Sequence, residues 1–174
     1  MKPRMRVGIG YDIHPLELGG VLTLGGLVIS ADRGYAPRHD HDVLLHSLID
    51  ALAGALCLGD MSDFLPDSSN GDTSSGDPLA TLTGLIRDAG YMIANVDCNV
   101  IAGPIILRPF VQAITFTISR RLGVNSQQVS VKGRSNSGFR EEGAGMAISS
   151  HAAVCLQVNR GVTRLSRLMA GQVS

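Results

Sequence analysis

The sequence predicts a mixed fold, α+β or α/β, in which helices cover a sheet. The order of the predicted elements along the chain supports this class. Short apolar runs typical of strands, two of them joined as a hairpin, alternate along the chain with longer segments of helical period. Hydrophobic residues make up 44% of the 174 residues and charged residues 17%. The length is enough for one domain with its own core, and the composition argues against a disordered chain.

The first half of the chain contains three predicted strands and one helix. RMRVGIGYDIH predicts a strand, and GGVLTLGGLVIS predicts two short strands that turn at Gly25-Gly26. After the polar loop RGYAPRHDH, apolar residues have helical spacing, at positions 44, 45, 48, 49, 52 and 56. We expect Asp40 or Asp42 to cap the start of this helix and Gly59 its end.

The second half continues the alternation after DMSDFLPDSSNGDTSSGD, which is predicted to be a loop. PLATLTGLIRDAG predicts a helix with Pro78 in its first turn and Gly90 after its end, and RPFVQAITFTISRRLG predicts a third helix. YMIANVDCNVIA, QVSVKGRS and GMAISSHAAVCLQV are predicted strands. We expect a single domain over residues 1–158. The tail, 159–174, is predicted to be a short helix or disordered.

Charge and cysteine content limit the class of protein. Lys plus Arg and Asp plus Glu number 15 each, so the net charge of zero does not favour a nucleic-acid or membrane-surface partner. The N-terminal segment carries charge at once and lacks an apolar signal core, so we expect a cytoplasmic protein. Cys57, Cys98 and Cys155 are odd in number and lie among apolar neighbours. We expect buried free thiols in a reducing compartment.

Asp12 and His14 lie two residues apart in GIGYDIHPL, near the end of the first predicted strand. Because side chains in a strand alternate between faces, both point to the same face. His46, one turn into the first predicted helix, is the best candidate for a third ligand. One Asp and two His would hold Zn²⁺ with a fourth position open for substrate, and Mn²⁺ or Co²⁺ would suit the same donors. The alternative is that His46 is a structural histidine under the sheet.

Two polar loops add candidate binding residues. RHDHD places Arg38 and His39 just before the helix, where a helix N-terminus with basic groups nearby favours a phosphate or carboxylate. The alternative there is a solvated loop that pairs with itself. GDMSDFLPDSSNGD contains Asp60 and Asp67, which could bind sugar or polyol hydroxyls or merely cap turns.

Several motifs follow one another along the chain: GYDIH, LTLGGLVI, RHDHDVLLHSLIDAL, GDMSDFLPD, GYMIANVDCNVIA and VSVKGRSNSGF. In this order they resemble the 2-C-methyl-D-erythritol 2,4-cyclodiphosphate synthase family. That family has Gly-x-Asp-x-His, Leu-Gly-Gly, His-Ser-Asp-Gly-Asp-Val with a helical His, Gly-Asp-Ile-Gly with Phe-Pro-Asp, Asn-Val-Asp, and Val-Lys-Ala-Thr-Thr-Thr-Glu with Gly-Phe. The resemblance covers residues 5–157.

The resemblance implies a homotrimer with a ferredoxin-like βαβ core and active sites between subunits. It implies a phosphorus–oxygen lyase of the non-mevalonate isoprenoid pathway. In that reaction the 2-phosphate of a CDP-ester of methylerythritol attacks the β-phosphorus, CMP leaves and a cyclic diphosphate forms. Asp12, His14 and His46 would hold Zn²⁺, and a second ion, Mg²⁺ or Mn²⁺, would bridge the diphosphate. Two cations on a polyanion supply the positioning and charge neutralisation that phosphoryl transfer requires.

The resemblance also implies individual site residues. Arg38 stands at a loop histidine that stabilises the transition state, and Ser135 stands at a catalytic threonine, so both are carried over as catalytic residues. The positions that match the family's substrate-binding residues are Asp12, His14, Arg38, His39, Asp60, Met61, Ser62, Leu65, Asp67, Ala102, Gly103, Arg134 and Phe139.

The sequence departs from the family pattern at positions that match nucleotide-binding and second-metal residues, away from Asp12, His14 and His46. Ile106 stands at a Lys of the cytosine-binding run, and Ser137 stands at a Glu that ligates the second metal. Glu142 stands at an Arg, which reverses a charge. Glu141 or Glu142 could supply the lost carboxylate, and Arg134 could supply a phosphate contact.

These departures leave alternatives open. The family reaction survives by compensation, or a diverged paralogue keeps the trimer and zinc site but acts on another phosphorylated substrate, or the trimer is inactive and binds a ligand or partners a normal synthase. In the family, a cavity on the trimer axis with an Arg/Glu gate can hold isoprenoid diphosphates. Glu142 and Ala144 stand at the gate positions. Because copies of Glu142 would repel an anion, we expect no such ligand there.

Overall fold

The computed structural model describes residues 3–29, 31–35, 42–63 and 77–159. Its strands are β1 (Met5–Leu18), β2 (Leu22–Leu24), β3 (Leu27–Ile29), β4 (Arg33–Tyr35), β5 (Tyr91–Ile101), β6 (Val129–Arg134) and β7 (Ala147–Val158). Its helices are α1 (Val43–Leu56), α2 (Pro78–Asp88), α3 (Val111–Leu122) and the single turn α4 (Arg140–Gly143). The alternation of strands and helices expected from the sequence is confirmed.

The main sheet has five strands in the order β4-β1-β7-β5-β6. β5 and β6 are parallel and are joined through α3 as a βαβ unit, whereas the other neighbours are antiparallel. β2 and β3 form a separate hairpin that turns at Gly25-Gly26, as predicted. The fold is therefore mixed α+β. In the part of the chain that the structure describes, none of the helices is both long and apolar enough to cross a membrane.

The two faces of the sheet differ in what covers them. The helices bury one face in a core whose main contributors are Leu44, Leu48, Leu52, Leu79, Leu82, Ile114, Ile118, Val100, Val154 and Leu156. The opposite face, which we call the open face, carries the odd-numbered residues of β1. Val7 and Ile9 are 67% and 77% exposed there, and Tyr11 and Ile13 are also exposed. An apolar strip of this kind is unusual on a monomer and typical of an interface.

Helix α1 lies directly against the backbone of β1. A Cβ atom on Gly8 would overlap the carbonyl oxygen of Ala51, and one on Gly10 would overlap that of Ser47. Glycine is therefore required at both positions, because the strand has no space for a side chain beneath the helix. The close approach sets the height of α1 above the sheet.

The ends of α1 are capped in two different ways. Asp42 caps the start, and its side chain accepts hydrogen bonds from the backbone N–H groups of Leu44 and Leu45. The prediction that Gly59 ends the helix is wrong, because Cys57 takes the left-handed conformation first, with φ 60°. That position leaves Cys57 exposed, so the expectation of a buried thiol is also wrong for this residue. Cys98 is buried and Cys155 half-buried, and all three thiols are free.

The other helix boundaries lie close to their predicted positions. Pro78 occupies the first turn of α2, and Gly90, with φ 69°, follows its end. α3 begins at Val111, after a turn that contains the predicted start, and Gly123 ends it in the left-handed conformation. The predicted tail lies outside the described residues from position 160 onward.

We expect Gly10→Ala to destabilise the protein by about 2 kcal/mol or more, because the new methyl group meets helix backbone that cannot rotate away. The measurement is the free energy of unfolding in urea. Gly84→Ala is the matched control, since Gly84 lies within α2 and a Cβ there meets nothing within 4 Å. This control should stabilise the protein, by up to about 1 kcal/mol. An unchanged stability of Gly10→Ala would contradict the close approach.

Candidate metal centre

Three side chains predicted as metal ligands converge at one end of the sheet. The Oδ2 atom of Asp12 lies 2.7 Å from Nε2 of His14 and 3.0 Å from Nδ1 of His46. The two ring nitrogens are 3.5 Å apart. Among the described residues, this is the one group of three or more His, Cys, Asp or Glu side chains whose ligand atoms gather within 4.8 Å. The predicted grouping is confirmed.

Local structure explains why these atoms meet. Asp12 and His14 lie on the helix-covered face of β1, next to Gly10 in the same row. His46 is in the first turn of α1, and its backbone N–H donates to the Asp42 carbonyl. Beneath the helix, the buried Ser47 hydroxyl and the Ser150 hydroxyl on β7 form a hydrogen bond of 2.8 Å. This polar contact ties α1 to the sheet one residue from His46.

The electrostatics of the group favour an anionic Asp12. Burial raises the pKa of its carboxyl, but hydrogen bonds from His14 and His46 outweigh burial and leave this pKa well below its usual range. The other carboxylate oxygen accepts the backbone N–H of Ile13 at 2.9 Å. The carboxylate is therefore fixed with one oxygen toward the two imidazoles.

The donor set fits a divalent cation. One carboxylate oxygen and two imidazole nitrogens are the donors that catalytic zinc sites use with a fourth position left open. The three side chains are between 10% and 17% exposed, so the site is partly accessible to solvent. A cation here would replace the contacts that now join the two rings to Asp12, because metal and protons compete for the ring nitrogens.

Tyr35 adjoins the centre and was missed by sequence reasoning. Its ring meets the ring of His14 edge-on, with 5.9 Å between centroids. The sequence signal was weak, because a single Tyr in the polar segment RGYAPRHDH is typical of a loop. Only the pairing of Tyr35 with Leu16 on β1 brings it beside His14.

The structure describes only some of the other site residues that were predicted from the first half of the chain. Asp60 is exposed and accepts hydrogen bonds from the backbone and hydroxyl of Ser62, so it closes a turn. Met61 begins the short 3₁₀ helix in this turn. This turn follows the C-terminal end of α1. That end is roughly 15 Å along the helix axis from His46, which lies in the first turn. The predicted residues that lie outside the described part of the chain are Arg38, His39, Leu65 and Asp67.

A second group of predicted residues lies at the carboxyl ends of β5 and β6. Ala102 is buried and its N–H donates to the Arg134 carbonyl at 2.9 Å. Gly103 follows with φ 57° and passes close to the carbonyl of Glu142. Ser135 is exposed, and its hydroxyl accepts the N–H of Ser137 at 3.3 Å. The structure thus gathers these residues at one end of the sheet.

The segment after Ser135 consists of a short 3₁₀ turn, Asn136–Gly138, and the single turn α4. Asn136, Ser137 and Arg140 all have positive φ, between 50° and 57°. Such backbone is uncommon for residues other than glycine, and its clustering marks a segment held by its surroundings. Phe139, which the resemblance assigns to substrate binding, belongs to this segment and is 72% exposed.

The strand register separates the two groups within one chain. Asp12 pairs with Ser150 on β7, and Ser150 pairs with Val100 on β5. The metal ligands therefore lie two strand spacings, roughly 10 Å, from the end of β5 and farther from β6. Both groups lie at the same end of the sheet, because β1, β5 and β6 run in the same direction.

Glu142, the residue with reversed charge, faces away from the metal ligands of its own chain. Its carboxylate accepts a hydrogen bond from the Ser149 hydroxyl at 2.9 Å. Ser149 pairs with Ile13, whose side chain is on the open face, whereas Asp12 is on the helix-covered face. Within one subunit, Glu142 therefore does not complete the Asp12 site.

Comparison with other sequences agrees with this geometry. The YgbB family model matches residues 5–157. The 2-C-methyl-D-erythritol 2,4-cyclodiphosphate synthase of Moorella thermoacetica is 42% identical over 154 residues, which cover 87% of this chain and 94% of that protein. The protein of the same name from Syntrophomonas wolfei is 40% identical over 155 residues, which cover 88% of this chain and 99% of that protein.

Solved structures match over a similar length. The CDP complex of IspF from Plasmodium falciparum has a TM-score of 0.80 and 31% identity, and the match covers 92% of this chain and 100% of that chain. A CDP-bound 2C-methyl-D-erythritol-2,4-cyclodiphosphate synthase has a TM-score of 0.75 and 27% identity, with 87% and 100% covered. Fold, converging ligands and near full-length similarity agree, and the chain belongs to the YgbB family.

Proposed function

We propose that this protein is an enzyme that converts a CDP-ester of methylerythritol 2-phosphate into a cyclic diphosphate and CMP. The observation that carries the proposal is the convergence of Asp12, His14 and His46 in a chain of this family. Relatives between 36% and 42% identical bear the name of the synthase. A diverged paralogue with another phosphorylated substrate, the alternative raised by the sequence, is not favoured by these relatives.

In the proposed reaction an oxygen of the 2-phosphate forms a bond to the β-phosphorus. The bond from that phosphorus to the bridging oxygen breaks, and CMP leaves with the electron pair. Asp12, His14 and His46 would hold a divalent cation, with Zn²⁺ as our proposal, and this ion would supply positive charge that polarises a phosphate group. The ionised Asp12 and the two imidazoles fix where that charge sits.

We propose the remaining roles from the family positions. Arg38 stabilises charge on the phosphates, and the Ser135 hydroxyl contacts the reacting diphosphate. A second ion, Mg²⁺ or Mn²⁺, would neutralise further charge on that diphosphate. The proposed substrate-binding residues beyond the metal ligands are His39, Asp60, Met61, Ser62, Leu65, Asp67, Ala102, Gly103, Arg134 and Phe139. Residues 1–158 form the catalytic unit in this proposal, and 159–174 is an added tail.

We further propose that three ferredoxin-like subunits assemble through their open faces. The exposed apolar strip of Val7, Ile9, Tyr11 and Ile13 supports this, because water contact with so much apolar surface is unfavourable. The separation of the metal ligands from the ends of β5 and β6 also supports it. A substrate that touches both groups is accommodated when the second group comes from a neighbouring subunit.

With Zn²⁺ and Mg²⁺ present, the purified protein should release CMP from the CDP-ester of methylerythritol 2-phosphate. The cyclic diphosphate should form in equal amount, because one cleavage accompanies each ring closure. Product formation is measured by chromatography and ³¹P NMR. Folded protein that binds metal but releases no CMP would refute the reaction while leaving the family assignment intact.

Asp12→Asn should abolish metal binding, because it removes the anionic ligand between the two histidines. Loss of an outer-shell partner alone lowers metal affinity by about 10–100-fold, so the loss here should be larger. Metal content per subunit is measured after dialysis. Asp88→Asn, the same change at the exposed end of α2, is the control and should keep full occupancy. Equal metal content in both variants would show that the ligand assignment is wrong.

Val7→Lys should shift the protein from trimer to monomer, because a charge would be buried in the proposed interface. Sedimentation velocity gives the oligomeric state. Val28→Lys is a matched control, since Val28 on the β2–β3 hairpin is 66% exposed and Val7 67%. A monomeric wild-type protein, or a Val7→Lys variant that stays trimeric, would disprove assembly through the open face.

A further inference from the structure

Tyr35 touches each element that carries a metal ligand. It pairs with Leu16 of β1, two residues beyond His14, and its ring meets the His14 ring at 89°. Its hydroxyl accepts a hydrogen bond from the backbone N–H of Val43, the first residue of α1, at 3.2 Å. The same hydroxyl donates to the carbonyl of Thr23 on β2 at 3.1 Å.

The hydroxyl is suited to a fixed bridge. Tyr35 is 6% exposed, so its hydroxyl lies away from solvent. One phenol oxygen can donate its proton to one partner and accept from another, and here it donates to Thr23 while it accepts from Val43.

The bridge acts on the turn of α1 that bears His46. Asp42 accepts the N–H groups of Leu44 and Leu45, and Gly26 of the hairpin also donates to it at 2.7 Å. The Val43 N–H is buried, and Tyr35 is its hydrogen-bond acceptor. Removal of the hydroxyl leaves this buried N–H without that partner, which is unfavourable. A small shift of the first turn would give the N–H another acceptor, but it would also move His46.

We propose that Tyr35 is a positioning residue of the metal centre. It fixes the ring of His14 on β1 and the start of α1 in one arrangement, so that His14 and His46 point at Asp12 before a cation arrives. This inference rests on the metal site proposed above. It predicts that the hydroxyl contributes to metal affinity through geometry, without itself being a ligand.

Tyr35→Phe tests the inference, because it keeps the ring and removes the hydroxyl. Tyr91→Phe is a matched control at the other end of the sheet. Tyr91 is 2% exposed, and its hydroxyl likewise donates to a carbonyl, that of Pro3, and accepts from Arg6. Both variants therefore lose one buried hydroxyl bridge of the same kind.

Co²⁺ titration followed by visible absorption measures affinity and coordination geometry, and thermal unfolding of the metal-free proteins measures stability. We expect similar losses of stability in the two variants. Co²⁺ affinity should fall about tenfold in Tyr35→Phe alone, with an altered spectrum. Wild-type affinity and spectrum in Tyr35→Phe would overturn the inference only. Failure of the wild-type protein to bind Co²⁺ would overturn both the inference and the metal site.

Amide hydrogen exchange in the wild-type protein provides a test that needs no variant. If Tyr35 favours metal binding, metal binding must in turn stabilise the Tyr35 bridge, because the coupling is reciprocal. Co²⁺ or Zn²⁺ should therefore slow exchange of the Val43 amide. The amide of Leu79, which Asp77 caps at the start of α2, serves as the reference. Equal effects of metal at Val43 and Leu79 would overturn the inference.

Discussion

The site depends first on direct contact between the backbones of β1 and α1. Gly8 and Gly10 remove the side chains that would otherwise separate the strand from the helix. The helix therefore lies close enough for His46 to reach the carboxylate of Asp12 on the same face of the strand. Because a helix packed on larger side chains would stand several ångströms higher, the glycines of GIGYDIH matter as much to the cluster as its acid and histidine.

Buried polar contacts then fix the rotation and position of the helix. Asp42 joins the β2–β3 hairpin to the first turn, Tyr35 joins the hairpin and first turn to β1, and the Ser47 hydroxyl meets that of Ser150 on β7. Apolar packing is non-directional, whereas each of these hydrogen bonds has a required geometry. Together they specify one placement of His46, which a cation site with three protein ligands requires.

The two faces of the sheet carry different kinds of residues. The helix-covered face holds the core and the candidate metal ligands, while the open face presents the apolar residues of β1. The turn that carries Ser135 and Phe139 lies at the same end of the sheet as Asp12, but across β7 and β5. In the proposed trimer, Asp12, His14 and His46 of one subunit would hold the cation, and the neighbouring subunit would supply this turn. Changes such as Glu142, which binds Ser149 on the open face, then concern contacts between subunits.

The sequence by itself determined most of the elements and the grouping of Asp12, His14 and His46. Short apolar runs and helical spacings located most of the strands and helices, and Asp12 and His14 had to share a face because side chains in a strand alternate. Tertiary structure decided what local patterns do not encode. α1 ends at Leu56 because Cys57, rather than Gly59, takes the left-handed conformation that caps it. Tyr35, in a segment that resembled a loop, becomes part of the centre because strand pairing sets it beside His14. Such contacts join residues distant in the chain, and their geometry follows from packing of the whole sheet.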